Sequence, residues 1–189
     1  MIESAFALTS FRPHSLICHP ASPCPTALEI VASAEFSENG NLHLHYLLTG
    51  DLDTVCFPSP QAASPTDNLW QHTCCEAFIG ATGDMAYREF NFSPSSQWAA
   101  YQFNDYRVRD ERFQPPAFPQ ITCQRDETCH ELEVLLPQVL LPEANELQLG
   151  LTAVIEFKNG DKSYWALSHP AAQPNFHLRA SFALALNKP

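Results

Sequence analysis

The stretch DNLWQHTCCEAFIGATGDMAYREFNFSPSSQWAAYQFNDYR, residues 67–107, decides the fold of this chain. Segments rich in Gly, Asp, Ser and Pro divide it, and such segments are typical of turns. Three strands are predicted between them, at 73–79, 85–92 and 97–103. Side chains alternate between the two faces of a strand, so Phe90 and Phe92 share one face while Glu89 lies on the other.

Each of these three strands has one apolar side and a second side with carboxylate, amide and aromatic groups. Glu76 has apolar neighbours in the first strand, and Asn91 shares a face with Glu89 in the second. The apolar sides are expected to pack in a core. We therefore expect the second side to face a ligand.

The rest of the chain repeats the alternation of apolar and polar residues, and Asn39-Gly40 between two such segments is a strong hairpin signal. The further strands are predicted at 6–8, 28–36, 42–48, 54–57, 120–124, 129–136, 147–157, 164–167 and 178–186. Helix is scarce, and one short candidate lies at 137–141. Two packed sheets bury strands that are apolar on one side only. The sequence therefore predicts an all-β protein, a two-sheet antiparallel β-sandwich that forms a single domain over residues 1–189.

The charge of the chain restricts its partners. Asp and Glu number 21 against 10 Lys and Arg, which gives a formal net charge of -11 at pH 7. An acidic chain without a basic patch among its aromatic residues is a poor partner for nucleic acid or for an anionic membrane surface. An uncharged partner such as a sugar is compatible with this balance.

The first residues lack the basic and apolar regions of a signal peptide, and no segment has the ~18 consecutive apolar residues of a membrane span. We therefore expect a cytoplasmic protein. The 7 Cys include no C-x-x-C pair, so we expect reduced thiols and neither a metal site nor a cofactor. Cys123 and Cys129 flank a predicted turn and could lie opposite each other, but we expect no bridge.

Catalytic motifs are scarce in this sequence. It contains no serine-hydrolase elbow, zinc-protease helix motif, phosphate-binding loop or dinucleotide-binding glycine motif. Glu76 and Glu89 could act as an acid/base pair on a glycosidic bond, which makes a glycoside-acting enzyme one alternative. We favour the view that the two carboxylates pair with Arg88 or bind ligand hydroxyls, and we expect no enzyme.

The aromatic residues favour a binding function. A sugar ring presents an apolar C–H face that stacks on Trp or Tyr, while its hydroxyls need fixed donors and acceptors such as Glu, Asn and Arg. Trp70 and Trp165 lie at strand ends beside loops, where an indole can stay exposed, whereas Trp98 is at least as easily a core residue. The candidate ligand-binding residues are Trp70, Glu76, Arg88, Glu89, Asn91, Trp98, Tyr101, Arg107, Trp165, His169 and His177.

Two blocks, DNLWQHTCCEAFIG…YREFNFSPSSQWAAYQFNDYR and YWALSHPAAQPNFHLRASF, resemble the DOMON-like superfamily, and within it the domains grouped with the family 9 carbohydrate-binding modules. Trp70 followed by Glu76 is similar to that family's stacking Trp and sugar-binding Glu. The segment Glu89-Phe90-Asn91 is similar to its E-F-N strand. The resemblance implies a β-sandwich that binds a small carbohydrate-like ligand without catalysis.

Other branches of the DOMON-like superfamily bind haem, with Met and His as axial ligands. Met85 is the available methionine beyond Met1, and the chain has 8 His. The resemblance therefore leaves a haem-binding redox domain as a further alternative.

Overall fold

Two antiparallel sheets contain nearly all the regular structure of residues 12–189, the part of the chain that the computed structural model describes. The strand expected at 6–8 lies outside these residues. In chain order the strands are β1 (His14–Ser15), β2 (Ile17–Cys18), β3 (Leu28–Phe36), β4 (Leu42–Gly50), β5 (Cys74–Ala81), β6 (Tyr87–Phe92), β7 (Trp98–Asp105), β8 (Val108–Arg109), β9 (Gln120–Arg125), β10 (Cys129–Leu136), β11 (Glu146–Glu156), β12 (Lys162–Ala166) and β13 (Leu184–Asn187). The predicted all-β, two-sheet antiparallel architecture is confirmed.

The two sheets differ in size. The 5-stranded sheet has the order β1-β3-β4-β10-β9, and the 8-stranded sheet has the order β2-β12-β11-β5-β6-β7-β8, with β13 also paired to β11. The three strands of the stretch 67–107 are therefore neighbours, joined in the register that sets Glu76 opposite Asn91 and Glu89 opposite Tyr101. This pairing brings the polar groups of three strands onto one surface.

The core lies between the sheets and decides which face of each strand points outward. Alternate residues of β5 and β6 enter this core and are 3% exposed or less: Cys75, Ala77, Ile79, Phe90 and Phe92. Burying a large apolar side chain completely stabilises the folded state by about 1.5–3 kcal/mol. Because successive side chains of a strand point to opposite faces, Glu76 and Glu89 lie on the outer face of the 8-stranded sheet.

A second, smaller apolar layer covers part of that outer face. Residues 167–183, which we term the covering segment, cross the face and pack Phe176 and Phe182 against Phe78, with ring centroids 6.3 Å and 5.9 Å apart. Gly150 permits this close approach, because a Cβ atom there would lie 3.2 Å from the Phe182 ring. The predicted strand at 178–186 is wrong over its first half, because these contacts hold the chain in a loop until β13 begins.

Three shorter predictions are also corrected. The helix candidate at 137–141 is a single 3-10 turn, Gln138–Leu140, and the strand predicted at 54–57 is reduced to an isolated bridge between Val55 and Phe157. Cys123 pairs with Leu132 and not with Cys129, because the turn falls between 125 and 129, and all seven Cys are free. Within residues 12–189 no helix is long and apolar enough to cross a bilayer.

Candidate ligand-binding cleft

A cleft of about 700 Å³ opens on the outer face of the 8-stranded sheet, between β5–β8, the covering segment and the loop that holds Ala21 and Ser22. Residues from distant parts of the chain meet in it. Six of the residues proposed from the sequence line it: Trp70, Glu76, Glu89, Tyr101, Arg107 and His177.

Two carboxyl groups form the polar part of the cleft. Glu76 is 2% exposed and Glu89 is 5% exposed, yet both line the cavity. Thr152 donates its hydroxyl hydrogen to Glu76 Oε2 at 3.2 Å, and Asn91 donates from Nδ2 to Glu89 Oε1 at 2.7 Å. Each carboxyl group therefore has one oxygen that accepts a hydrogen bond from the protein. The second oxygen of Glu76 has no such bond from the residues that the structure describes, and the second oxygen of Glu89 lies 3.7 Å from His177 Nε2.

Burial changes the protonation of both groups. It raises the pKa of Glu76 well above its usual value, and the nearby charge of Glu89 acts in the same direction. Burial also raises the pKa of Glu89 to about 7, while the hydrogen bond from Asn91 and the positive charges of Arg107 and Arg109 favour ionisation. The raised pKa favours the protonated form of each carboxyl group, and a protonated carboxyl can donate as well as accept hydrogen bonds.

His177 reaches the cleft from the covering segment and is held as a neutral ring. The Tyr87 hydroxyl accepts the backbone N–H of Arg107 at 3.2 Å and forms a hydrogen bond with His177 Nδ1, 2.8 Å away. His177 Nε2 lies 3.7 Å from Glu89 Oε2. Burial, followed by the charge of Arg107, lowers the pKa of His177 to about 4.

Trp70 stands at the mouth of the cleft, 48% exposed. It belongs to a 3-10 turn, Leu69–Gln71, that the buried side chain of Leu69 anchors to the outer face of the sheet. Asn68, which also lines the cleft, precedes the turn in a left-handed conformation with φ 63°. Only Gly, Asn and Asp adopt that conformation readily, so the local sequence fixes the turn while the indole remains in solvent.

Two arginines, Arg107 and Arg109, also line the cleft, and we term them the arginine rim. Arg107 is the second residue of the two-residue turn between β7 and β8, and Arg109 follows in β8. The Arg109 guanidinium lies over the Tyr101 ring, 4.2 Å from its centroid. Tyr101 is fixed in turn by the hydrogen bond that its hydroxyl donates to Asp67 Oδ1 at 2.8 Å.

Three proposed site residues lie on the opposite side of the sheet, and their assignment is corrected. Trp165 is 6% exposed in the core between the sheets, where its Nε1–H donates to Ser163 Oγ at 2.8 Å. Trp98 is 3% exposed and lies directly opposite the core residue Phe92 in the sheet, so its side chain points to the same face as that of Phe92. Arg88 shares that side of β6, where its Nε–H donates to Gln102 Oε1.

Two further proposed residues lie beside the cleft without lining it. Asn91 is fully buried and acts on the cleft through its hydrogen bond to Glu89. His169 contacts the carbonyl oxygen of Ile17 through Nε2 at 2.7 Å and packs its ring against His19. Asn91 therefore positions a cleft residue, whereas His169 ties the covering segment to the edge strand β2.

Sequence reasoning missed several residues of the cleft. Phe78 and Phe103 form the apolar wall of the cleft. The alternation along the strands that placed Glu76 and Glu89 on the outer face also predicts that face for the two phenylalanines. Arg109 and Tyr164 follow from the same rule once the strands are placed. No local signal identifies the contributions of the covering segment, which are Gln173, Pro174, Asn175 and Phe176.

Within residues 12–189 no group of three or more His, Cys, Asp or Glu side chains is close enough together to hold a metal ion. The polar groups of the cleft are instead two carboxyls, two guanidiniums, a neutral imidazole and amides. Such a set can both donate hydrogen bonds to hydroxyl groups and accept hydrogen bonds from them.

Structural neighbours of the chain are carbohydrate-binding proteins. A candidate carbohydrate-binding protein from Bacteroides uniformis ATCC 8492 has a TM-score of 0.70 and 15% identity, over 94% of this chain and 85% of that one. A family 9 carbohydrate-binding module from Caldicellulosiruptor kristjanssonii in complex with cellotriose has a TM-score of 0.61 and 6% identity, over 92% and 82%. A family 9 module from the same organism in complex with glucose has a TM-score of 0.59 and 7% identity, over 92% of this chain and 83% of that one.

No protein-family model matches the sequence, and no curated protein matches it significantly. The fold is the β-sandwich found in the family 9 carbohydrate-binding modules. Identities of 15% or less establish that fold alone, so the ligand has to be argued from the cleft.

Proposed function

We propose that this protein is a non-catalytic carbohydrate-binding domain whose ligand occupies the cleft between Trp70, the two carboxyl groups and the arginine rim. The observation that carries the proposal is the exposed indole of Trp70 beside two buried carboxyls that line the same cavity. An aromatic platform next to fixed polar groups suits a sugar ring, which is apolar on its faces and polar around its edge.

The energetics of the cleft favour this use. An indole that is 48% exposed on an anchored turn loses little conformational freedom when a ring stacks on it. Within residues 12–189, Glu76 accepts a protein hydrogen bond at one carboxyl oxygen only, which favours a ligand that supplies hydroxyls, because an unsatisfied buried group is costly. The volume of about 700 Å³ also lies in the range of small-molecule sites.

The structural neighbours support the same ligand class, since family 9 modules of this fold are seen with cellotriose and with glucose. Membership of the DOMON-like superfamily, the single-domain organisation and the cytoplasmic location are part of this proposal and rest on the sequence. The absence of catalysis is proposed from the non-catalytic character of carbohydrate-binding modules.

One observation favours a second candidate, a glycoside-acting enzyme. Glu76 and Glu89 are buried together in a cleft, and burial raises the pKa of both carboxyl groups, as it does for the general acid of a glycosidase carboxyl pair. Assaying the full chain against aryl glycosides decides between the two candidates. Turnover that disappears in both Glu76→Gln and Glu89→Gln would establish the enzyme.

The haem alternative receives little support from the cleft. Of the histidines in residues 12–189 only His177 lines it, and both ring nitrogens of His177 are directed at protein groups. Met85 is 54% exposed at the turn before β6 and is not among the lining residues. A Soret band after incubation of the purified protein with hemin would reopen this alternative.

A thermal-shift screen of mono- and disaccharides tests the proposed function. A ligand that binds only the folded protein raises its stability by RT ln(1 + [L]/Kd). We expect a dose-dependent rise in Tm with at least one hexose or hexose disaccharide, and a smaller rise in the Glu76→Gln variant. A panel in which no sugar changes the Tm would contradict the proposal.

A further inference from the structure

Arg107 is an unusual component of the cleft for two separate reasons. In the part of the chain that the structure describes, no carboxylate lies within ion-pair distance of its guanidinium, whereas Arg109 and Arg112 pair with Glu111 and Asp110. Its side chain contacts the Asn175 Oδ1 atom at 3.4 Å and the ring of Tyr106 at 5.8 Å. The neighbours that the cation touches are therefore neutral.

The backbone of Arg107 is the second reason. Its φ of 55° lies in the left-handed region, which costs energy for a residue with a long side chain and which turns normally assign to Gly or Asn. The Tyr87 hydroxyl accepts its backbone N–H and helps to hold the conformation. A strained position occupied by Arg at the rim of a cleft indicates that the side chain has a role that Gly could not fill.

The charge distribution points to what that role is. The chain carries a formal net charge of -11, so most of its surface repels an anion. Arg107 and Arg109 nevertheless both line the one cleft proposed to bind ligand. The planar fork of a guanidinium pairs with two oxygens of a carboxylate or phosphate at once, which a neutral hydroxyl cannot match.

We propose that the ligand is an acidic sugar, a hexose derivative that carries an anionic group, and that Arg107 binds this group while the sugar ring lies over the cleft floor. This inference rests on the proposed function and specifies its ligand. The raised pKa of Glu76 is consistent with it, because the protonated form of that carboxyl carries no negative charge to repel an anion.

Calorimetric titration of the full chain with glucose, glucuronic acid and glucose 6-phosphate tests the proposal. We expect an acidic sugar to bind about tenfold or more tightly than glucose, the gain expected of a charge-assisted hydrogen bond. Whichever of the carboxylate and the phosphate gives the larger gain identifies the anion. Equal affinity for glucose and for both acidic sugars would overturn the inference and leave the proposed function intact, whereas no binding of any sugar would count against both.

Two variants complete the test. Arg107→Gly removes the cation at a position where Gly is favoured, so the fold is retained, and it should abolish the preference for the acidic sugar over glucose. Arg112→Gln is the matched control, because it removes the same charge from a side chain that is 95% exposed and outside the cleft. A preference that survives Arg107→Gly, or disappears in Arg112→Gln, would overturn the assignment of Arg107.

Discussion

Replacing Glu89 by Gln should raise the stability of the protein at neutral and alkaline pH and leave it nearly unchanged in acid. Burial is the largest influence on this carboxyl and raises its pKa from 4.5 to about 7. The folded protein then holds the proton to a higher pH than the unfolded chain does. Stability from this group is fully present below pH 4.5 and is lost as the pH rises to about 7.

The size of the effect follows from the same values. At 1.36 kcal/mol for each unit of pKa, a rise from 4.5 to about 7 makes the ionised group cost roughly 3 kcal/mol above pH 7. Gln has nearly the shape of Glu, carries no charge and still offers an oxygen to the amide of Asn91. Allowing for imperfect packing, we expect Glu89→Gln to gain about 1–3 kcal/mol at pH 8.

Urea unfolding of the two proteins at about pH 4.5 and about pH 8 measures this difference through linkage. Glu133→Gln is the control, because Glu133 is an exposed carboxylate on β10, which belongs to the 5-stranded sheet and does not line the cleft. The difference in unfolding free energy between Glu89→Gln and the wild type should grow with pH, while the difference for Glu133→Gln should stay small. A Glu89→Gln variant that is less stable at pH 8, or a difference independent of pH, would refute the view that an ionisable carboxyl is buried in this cleft.

Trp165→Ala should cost about 3–5 kcal/mol of unfolding free energy, because its indole fills the core between the sheets; a wild-type urea midpoint would be inconsistent with that position. Thiol labelling of the native protein should modify Cys56 first and spare Cys74 and Cys75 until denaturant is added, because Cys56 is exposed and burial raises the pKa of the other two. The denatured chain should then titrate as seven free thiols, and a lower count would reveal a bridge. Arg107→Gly should raise the unfolding free energy by about 1 kcal/mol through relief of the left-handed conformation, and a lower Tm would mean that the arginine side chain supplies packing instead.

Sequence alternation predicts the sheets well because burial of apolar side chains dominates each strand. The segments 28–36 and 147–157 show it clearly, and both are strands within one residue of the expected bounds. Alternation does not say which of two apolar faces meets the second sheet. The first seven residues of β5 are all buried, so an aromatic residue of this sheet can be buried on either side. This is why Trp165 was assigned to the wrong side and why the sequence left both sides open for Trp98.

The parts of the cleft that the sequence does not predict depend on contacts between distant residues. Tyr87 meets His177 across 90 positions of the chain, and Arg107 meets Asn175 across 68. Such contacts exist because the covering segment packs its phenylalanines on the outer face of the sheet. Local propensity carries no information about that packing, so it predicts a strand where the structure has a loop.

Titration of intrinsic tryptophan fluorescence with glucose and with cellotriose tests the central claim most directly. Trp98 and Trp165 are 3% and 6% exposed, whereas Trp70 is 48% exposed, so a sugar that stacks in the cleft changes the signal of Trp70. Binding of the same sugars to Trp70→Ala is followed by calorimetry, with Phe118→Ala, an exposed aromatic outside the cleft, as the control.

The wild type should show a saturable fluorescence change, and Phe118→Ala should bind as the wild type does. Trp70→Ala should lose binding while its unfolding free energy stays within about 1 kcal/mol, since a half-exposed side chain contributes little to the core. Undiminished sugar affinity in Trp70→Ala, or a loss of several kcal/mol of stability in that variant, would contradict the claim that Trp70 is the stacking platform of a carbohydrate site.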